Sequence, residues 1–255
     1  MVKKKDEKMK LTEGMFIVGF NTIRKFFEAI AGVDSECRLH IGKEGVYALV
    51  VDCQNREMIQ ISIDRFKTII GPSEPVAFCI EVSAINRVLK SMEIIPETDA
   101  TFRWDESVVF IEIGRTKLYF NILGNHTVRT DPNSPVLETG RTSFTVLGSV
   151  LLQGLQIANV QSDTINLTTN RDSAFLQWRG DMSRSEYSLT SCKTTPEKAK
   201  YSIDALLNMA KVLVNAEVTV SFKTDYPVKI TANDKGGLPE GLNIIYLLAP
   251  RVESD

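Results

Sequence analysis

The chain has 255 residues, of which 43% are apolar and 24% charged. That is enough apolar material for one large core or two modest ones, and too much for a disordered chain. The 30 basic and 32 acidic residues leave a formal net charge of -2, which excludes a uniformly basic nucleic-acid binder but leaves room for a local basic patch.

No apolar run approaches the roughly 18 residues that a membrane-spanning helix needs. The opening MVKKKDEKMK has a charged start with no apolar stretch behind it, so it does not read as a secretory signal, and an intracellular protein is expected. Residues 1–14 read as a flexible lysine-rich tail, with nothing to bury. Cys37, Cys53, Cys79 and Cys192 are scattered, with no CxxC pair and no histidine at ligand spacing. They are read as four reduced thiols in or near apolar surroundings, with no metal and no cofactor.

From Phe16 onward the pattern becomes regular. Ile23, Phe26, Phe27 and Ile30 recur at helical spacing, with Arg24, Lys25 and Glu28 on the other side. Alternating apolar residues predict strands over 37–41, 46–52, 58–63 and 76–81. A second amphipathic helix follows over 83–92, and then strands over 100–104, 107–113 and 117–123.

Residues 124–141, GNHTVRTDPNSPVLETGR, interrupt this rhythm with two prolines and few large apolar groups, and read as a connector. Beyond it the pattern starts again. A helix is predicted over 145–155, strands over 164–168, 174–179, 185–191 and 199–203, a helix over 204–214, and strands over 217–223, 228–232 and 242–249. Gly236-Gly237 reads as a hairpin turn.

The order helix, strands, helix, strands therefore occurs twice. IEVSAINRVLKSM at 80–92 aligns with YSIDALLNMAKVL at 201–213, placing Arg87 on Asn208 and Lys90 on Lys211. Such repetition indicates a structure built from two copies of one unit, each with helices against mainly antiparallel sheet, an α+β class. The expected division is a tail at 1–14, a first domain at 15–123, a connecting loop at 124–141 and a second domain at 142–255.

Several segments resemble the DNA polymerase sliding clamps, the proliferating cell nuclear antigen family, most closely in its archaeal form. They are the closing IIYLLAPRVESD (244–255), TDYPVKI (224–230), VRTDPNSPVL (128–137) and GVYALVVDCQNREMIQISI (45–63). Their order, spacing and placement on the repeat carry the resemblance from about Phe16 to Asp255.

The resemblance implies two similar clamp domains per subunit and three subunits closing head-to-tail into a ring, a homotrimer, through edge strands near 117–123 and 184–190. Helices would line a hole around double-stranded DNA. Arg24, Lys25, Arg87, Lys90 and Lys211 would meet phosphates without reading sequence. Partner proteins, among them DNA polymerase and a clamp loader that supplies the ATP chemistry, would dock peptides bearing a glutamine and a hydrophobic-aromatic plug. The pocket for them would be built from Val51, Met58, Pro135, Leu137, Pro227, Leu247, Ala249, Pro250 and Val252.

One departure from the family pattern is the third helix, TVLGSVLLQGL. It carries Gly148, Ser149 and Gln153 where basic residues are common. This motivates an alternative, an obligate subunit of a hetero-trimeric clamp. A further alternative is an enzyme of unknown chemistry on a clamp-like fold. Yet His40 and His126, the two histidines, have no nucleophile or HExxH motif near them, and no phosphate-binding glycine loop is present. No catalytic residues are expected, and a processivity factor is the reading adopted.

Overall fold

The computed structural model describes residues 13–70, 75–93, 98–124, 142–180 and 183–251. The lysine-rich tail (all but its last two residues), the connector from 125 onward with His126, and Val252 lie outside these residues.

The first half opens with β1 (Gly14–Gly19) running straight into α1 (Phe20–Ala31). Then come β2 (Glu36–Gly42), β3 (Gly45–Val51), β4 (Glu57–Ile63) and the short β5 (Thr68–Ile70). The half closes with β6 (Val76–Glu81), α2 (Val82–Ser91), β7 (Asp99–Trp104), β8 (Val108–Ile113) and β9 (Thr116–Asn121).

The second half repeats the order without a counterpart of β5. It comprises β10 (Thr142–Leu147), α3 (Gly148–Asn159), β11 (Thr164–Thr169), β12 (Ser173–Arg179), β13 (Arg184–Ser191) and β14 (Glu197–Ser202). It ends with α4 (Ile203–Val212), β15 (Glu217–Phe222), β16 (Val228–Ala232) and β17 (Leu242–Leu248).

Among the described residues all pairings are antiparallel, in three sheets ordered β5-β1-β7-β8-β9, β10-β15-β16-β17-β4-β3-β2-β6 and β13-β12-β11-β14. The middle sheet joins the halves, because the last strand β17 pairs with β4 from Leu242 opposite Ile63 to Leu248 opposite Glu57. The helices form one layer over the inner sheet faces, with α1 against both α2 and α4, and α3 against α4. Their apolar stripes, such as Ile23, Phe26, Phe27 and Ile30 of α1, are at most 1% exposed. Burial of each such side chain contributes about 1.5–3 kcal/mol.

The structure corrects several boundaries. β1 and β5 have no counterpart among the expected elements, while α1 spans Phe20–Ala31 around the expected apolar face of Ile23, Phe26, Phe27 and Ile30. The helix expected from 145 begins at Gly148, because Thr142, Phe144 and Val146 alternate inward as strand β10. Residue 148 must be glycine. A Cβ there would lie 1.9 Å from Leu213 O, so the start of α3 can pack on the end of α4 only without a side chain. Gly236-Gly237 forms a 3₁₀ turn (Asp234–Gly236) capped by Gly237 at φ 100°, not a two-residue hairpin. Of the four thiols, Cys37 and Cys79 are buried but Cys53 is exposed, so the expected apolar setting does not hold for Cys53.

Candidate nucleic-acid and partner interfaces

The helix layer presents the candidate cations in three different states. Arg87 and Lys90 of α2 and Lys211 of α4 are exposed, whereas Arg24 of α1 is half-buried. Lys25 is engaged within the chain: its Nζ donates to Val212 O of α4 at 3.0 Å and lies 3.2 Å from Glu28 Oε2. Lys90 Nζ reaches the same carboxylate, 3.3 Å from Glu28 Oε1.

Glu28 thus sits between lysines of two helices. Burial pushes its carboxyl up, but the ion pairs with Lys25 and Lys90 outweigh that and hold it below its ordinary value. Glu28 was read only as part of a polar face. Its spacing three residues after Lys25 was the available signal.

On α3 the exposed positions are Ser149, Gln153, Gln156, Ile157 and Asn159. Gln153 Oε1 accepts from Tyr187 Oη at 3.0 Å, so this helix adds hydrogen-bonding groups but no charge to the layer.

The outer face of the middle sheet carries the second set. Val51 lies opposite Met58, and Met58 opposite Leu247; cross-strand partners share a face, so the three form one row. Met58 and Leu247 are only 7% and 6% exposed, yet neither belongs to the main core cluster. The sheet alternation sends Ile59, Ile61, Ile244 and Tyr246 into the core, and Met58 and Leu247 to the other side.

The loop between Val51 and Met58 is held by Asp52. Its carboxylate accepts from the backbone N–H of Arg56 at 2.6 Å, Glu57 at 2.8 Å and Gln54 at 3.3 Å. Ala249 N donates to Arg56 O at 2.8 Å, bringing Ala249 and the following Pro250 to the same loop. Pro227, beside β16, is half-buried. Pro135, Leu137 and Val252 lie outside the described residues.

Beneath this strip, Tyr246 Oη donates to Glu57 Oε2 at 2.9 Å, with Ala205 O 3.3 Å away. Burial pushes the Glu57 carboxyl up; the tyrosine hydrogen bond opposes that only in part, and Asp52 nearby reinforces it. Burial also drives the Tyr246 phenol well above its usual range, with Glu57 adding to the effect.

No family model matches the chain. Among curated proteins it is 28% identical to the DNA polymerase sliding clamp of Methanocorpusculum labreanum, covering 91% of this chain and 96% of that one. It is 27% identical to that of Methanosphaerula palustris, covering 92% and 97%.

Among solved structures, an A. fulgidus PCNA bound to the C-terminal region of FEN-1 superposes with a TM-score of 0.85 at 21% identity, covering 95% of this chain and all of that one. A PCNA2-PCNA3 complex from Sulfolobus tokodaii gives 0.78 at 17% identity, covering 95% of this chain and 100% of the other. In sequence the chain is a relative of the DNA polymerase sliding clamps, and in three dimensions it has the PCNA-type clamp fold.

Proposed function

We propose that the chain is a sliding clamp: a non-catalytic processivity factor that closes into a ring around double-stranded DNA and docks DNA polymerase, a clamp loader and other replication and repair proteins. In this reading it acts inside the cell, on DNA in the cytoplasm or nucleoid. Residues 15–123 and 142–255 serve as the two clamp domains, with 124–141 linking them and 1–14 as a tail.

The observation that carries the reading is the sheet running unbroken from one half into the other through β17 and β4. By the internal repeat, β9 holds in the first half the place that β17 holds in the second, and β13 holds the place of β4. Among the described residues both β9 and β13 end their sheets with an unpaired edge, which invites pairing with another copy. A joint of this kind is head-to-tail and makes a ring where its rotation closes; the resemblance to the sliding clamps puts that closure at three copies.

The register of the internal junction carries over to that joint. Within the chain Leu247 faces Met58 and Ile245 faces Gln60. Tracing the strand pairings of each half maps Lys117 and Tyr119 onto Ile245 and Leu247, and Glu186 and Arg184 onto Gln60 and Met58. Lys117 of one copy then faces Glu186 of the next, and Tyr119 faces Arg184. Both are favourable cross-strand pairs, so the chain's two edges complement each other.

The phosphate-facing cations in this proposal are Arg24, Arg87, Lys90 and Lys211, with Lys25 contributing mainly through its tie to α4. The partner-peptide pocket uses Val51, Met58, Pro227, Leu247, Ala249 and Pro250, together with Pro135, Leu137 and Val252. A second reading, an obligate subunit of a hetero-trimeric ring, is favoured by the uncharged face of α3.

A threading assay tests the function. The protein should slide onto linear duplex through free ends and stay there once the ends are capped, but not stay on uncapped duplex. Equal retention on capped and uncapped DNA would contradict encirclement.

A further inference from the structure

The outer face of the sheet β13-β12-β11-β14 holds a groove of about 840 Å³ walled by Arg179, Arg184, Lys198, Lys200 and Arg251, with Asp225 as its one carboxylate among the described residues. Arg179 and Arg184 are direct cross-strand partners, and like charges so placed repel each other. A Tyr119 ring from a neighbouring copy would stack on Arg184 without neutralising it. Asp181, in the turn between the two arginines, lies outside the described residues.

The nearby acids Glu186 and Glu197 have partners of their own. Glu186 Oε2 accepts from Gln177 Nε2 at 2.8 Å, and Glu197 Oε2 accepts from Thr224 N at 2.8 Å. These bonds come from neutral donors and leave both carboxylates charged, but neither acid lines the groove, where five cations face the single carboxylate of Asp225 among the described residues.

We propose that this groove is a docking site for an acidic segment of the partner proteins, one flanking the peptide that occupies the Leu247–Pro250 strip. The groove's charge calls for an anion. Its position selects a protein segment over nucleic acid: it lies on the sheet face away from the helix layer, and it is continuous with the strip. Arg251 directly follows Pro250, and its N–H donates to Lys200 O on β14 at 2.7 Å. A peptide leaving the strip beside Pro250 would therefore meet the groove first. The inference rests on the partner-docking reading for its occupant.

The test is fluorescence anisotropy at low salt on the full chain, using a peptide with the glutamine and hydrophobic-aromatic plug alone, the same peptide with a glutamate-rich extension at either end, the glutamate-rich tract alone, and a single-stranded oligonucleotide of equal charge. One extension should tighten plug binding about tenfold, because the tethered tract binds at high effective concentration. That gain should vanish in the variant Arg179→Ser/Lys198→Ser, whose native mass and plug affinity stay those of the parent.

No gain from either extension, or a gain that survives in the variant, overturns the proposal. Tighter binding of the oligonucleotide that is lost in the variant assigns the groove to nucleic acid and overturns it as well. A gain that appears only after residues 252–255 are removed gives the groove to the chain's own acidic end, against a partner segment. If the plug alone fails to bind while the glutamate tract binds and responds to the variant, the strip reading fails and the groove's preference for acidic peptide stands.

Discussion

Lys25 of α1 donates to the backbone carbonyl of Val212 at the end of α4, 3.0 Å away, so a side chain from the first half closes on the second. The carbonyls of a helix's last turn lack partners within the helix, and a cation there also meets the negative end of the helix dipole.

Replacing Lys25 with methionine keeps the apolar stem but removes this bond and the contact with Glu28. The expected loss is about 1–2 kcal/mol, read as a lower urea midpoint with an unchanged slope. Arg87→Ala, at an exposed position, should leave the midpoint within about 0.5 kcal/mol of the parent while weakening DNA retention. An equal loss of stability in both would remove the distinction drawn between them.

Glu28→Gln should release Lys25 and Lys90 from a shared anion. Duplex binding should tighten several-fold, with a steeper dependence on salt, since more cations are free to displace counterions. The pH dependence has a definite sign. The folded Glu28 carboxyl lies below its ordinary value of 4.5, so its contribution to stability is present above that value and is lost as the pH falls through the folded pKa. The glutamine variant should lack this acid-side loss; an identical acid profile would show that the lysines do not hold the carboxylate.

Glu57 has the opposite sign. Its folded carboxyl titrates above 4.5, so the stability it contributes is full below that value and declines as the pH rises through the folded pKa. Tyr246→Phe removes the one side-chain hydroxyl that hydrogen-bonds this carboxylate among the contacts described. The variant should lose about 1–3 kcal/mol, more at neutral than at mildly acidic pH. Thermal melts at the two pH values compare them directly, and a loss that does not change with pH would show that the hydroxyl acts through Ala205 O rather than through the Glu57 carboxylate.

At the copy-to-copy joint, Lys117→Glu should place two acids opposite each other, and Glu186→Lys two bases. Each cross-strand pair is worth roughly 0.2–1 kcal/mol, so either single change should raise the concentration needed for assembly several-fold. The double exchange should restore it. Failure of the exchange to rescue assembly would mean that the register of the joint differs from that of the internal junction.

Much of this architecture was legible because the sequence repeats: 201–213 echoes 80–92 in both pattern and length, and the strands around each copy alternate cleanly. β10 was misread because Phe144, Val146, Leu147, Val150 and Leu151 satisfy both a strand and a helix period; packing of Gly148 against Leu213 O decides where one ends. β5 has three residues and buries almost nothing, so periodicity had little to register, and β1, with only Phe16 and Val18 turned inward, runs without a break into α1. Met58 and Leu247 were ambiguous in one dimension, since apolar residues on either face of a strand look alike. Only the sheet showed that they face away from the core. The role of Glu28 depends on Lys90, which lies 62 residues further along the chain and meets it only through the packing of α1 on α2.

Light scattering on the full chain over a concentration series addresses the central claim most directly. The subunit mass is 28.5 kDa, and self-complementary edges predict a closed trimer of about 86 kDa. A species that stays at the mass of one or two subunits at every concentration would contradict closure by this chain alone.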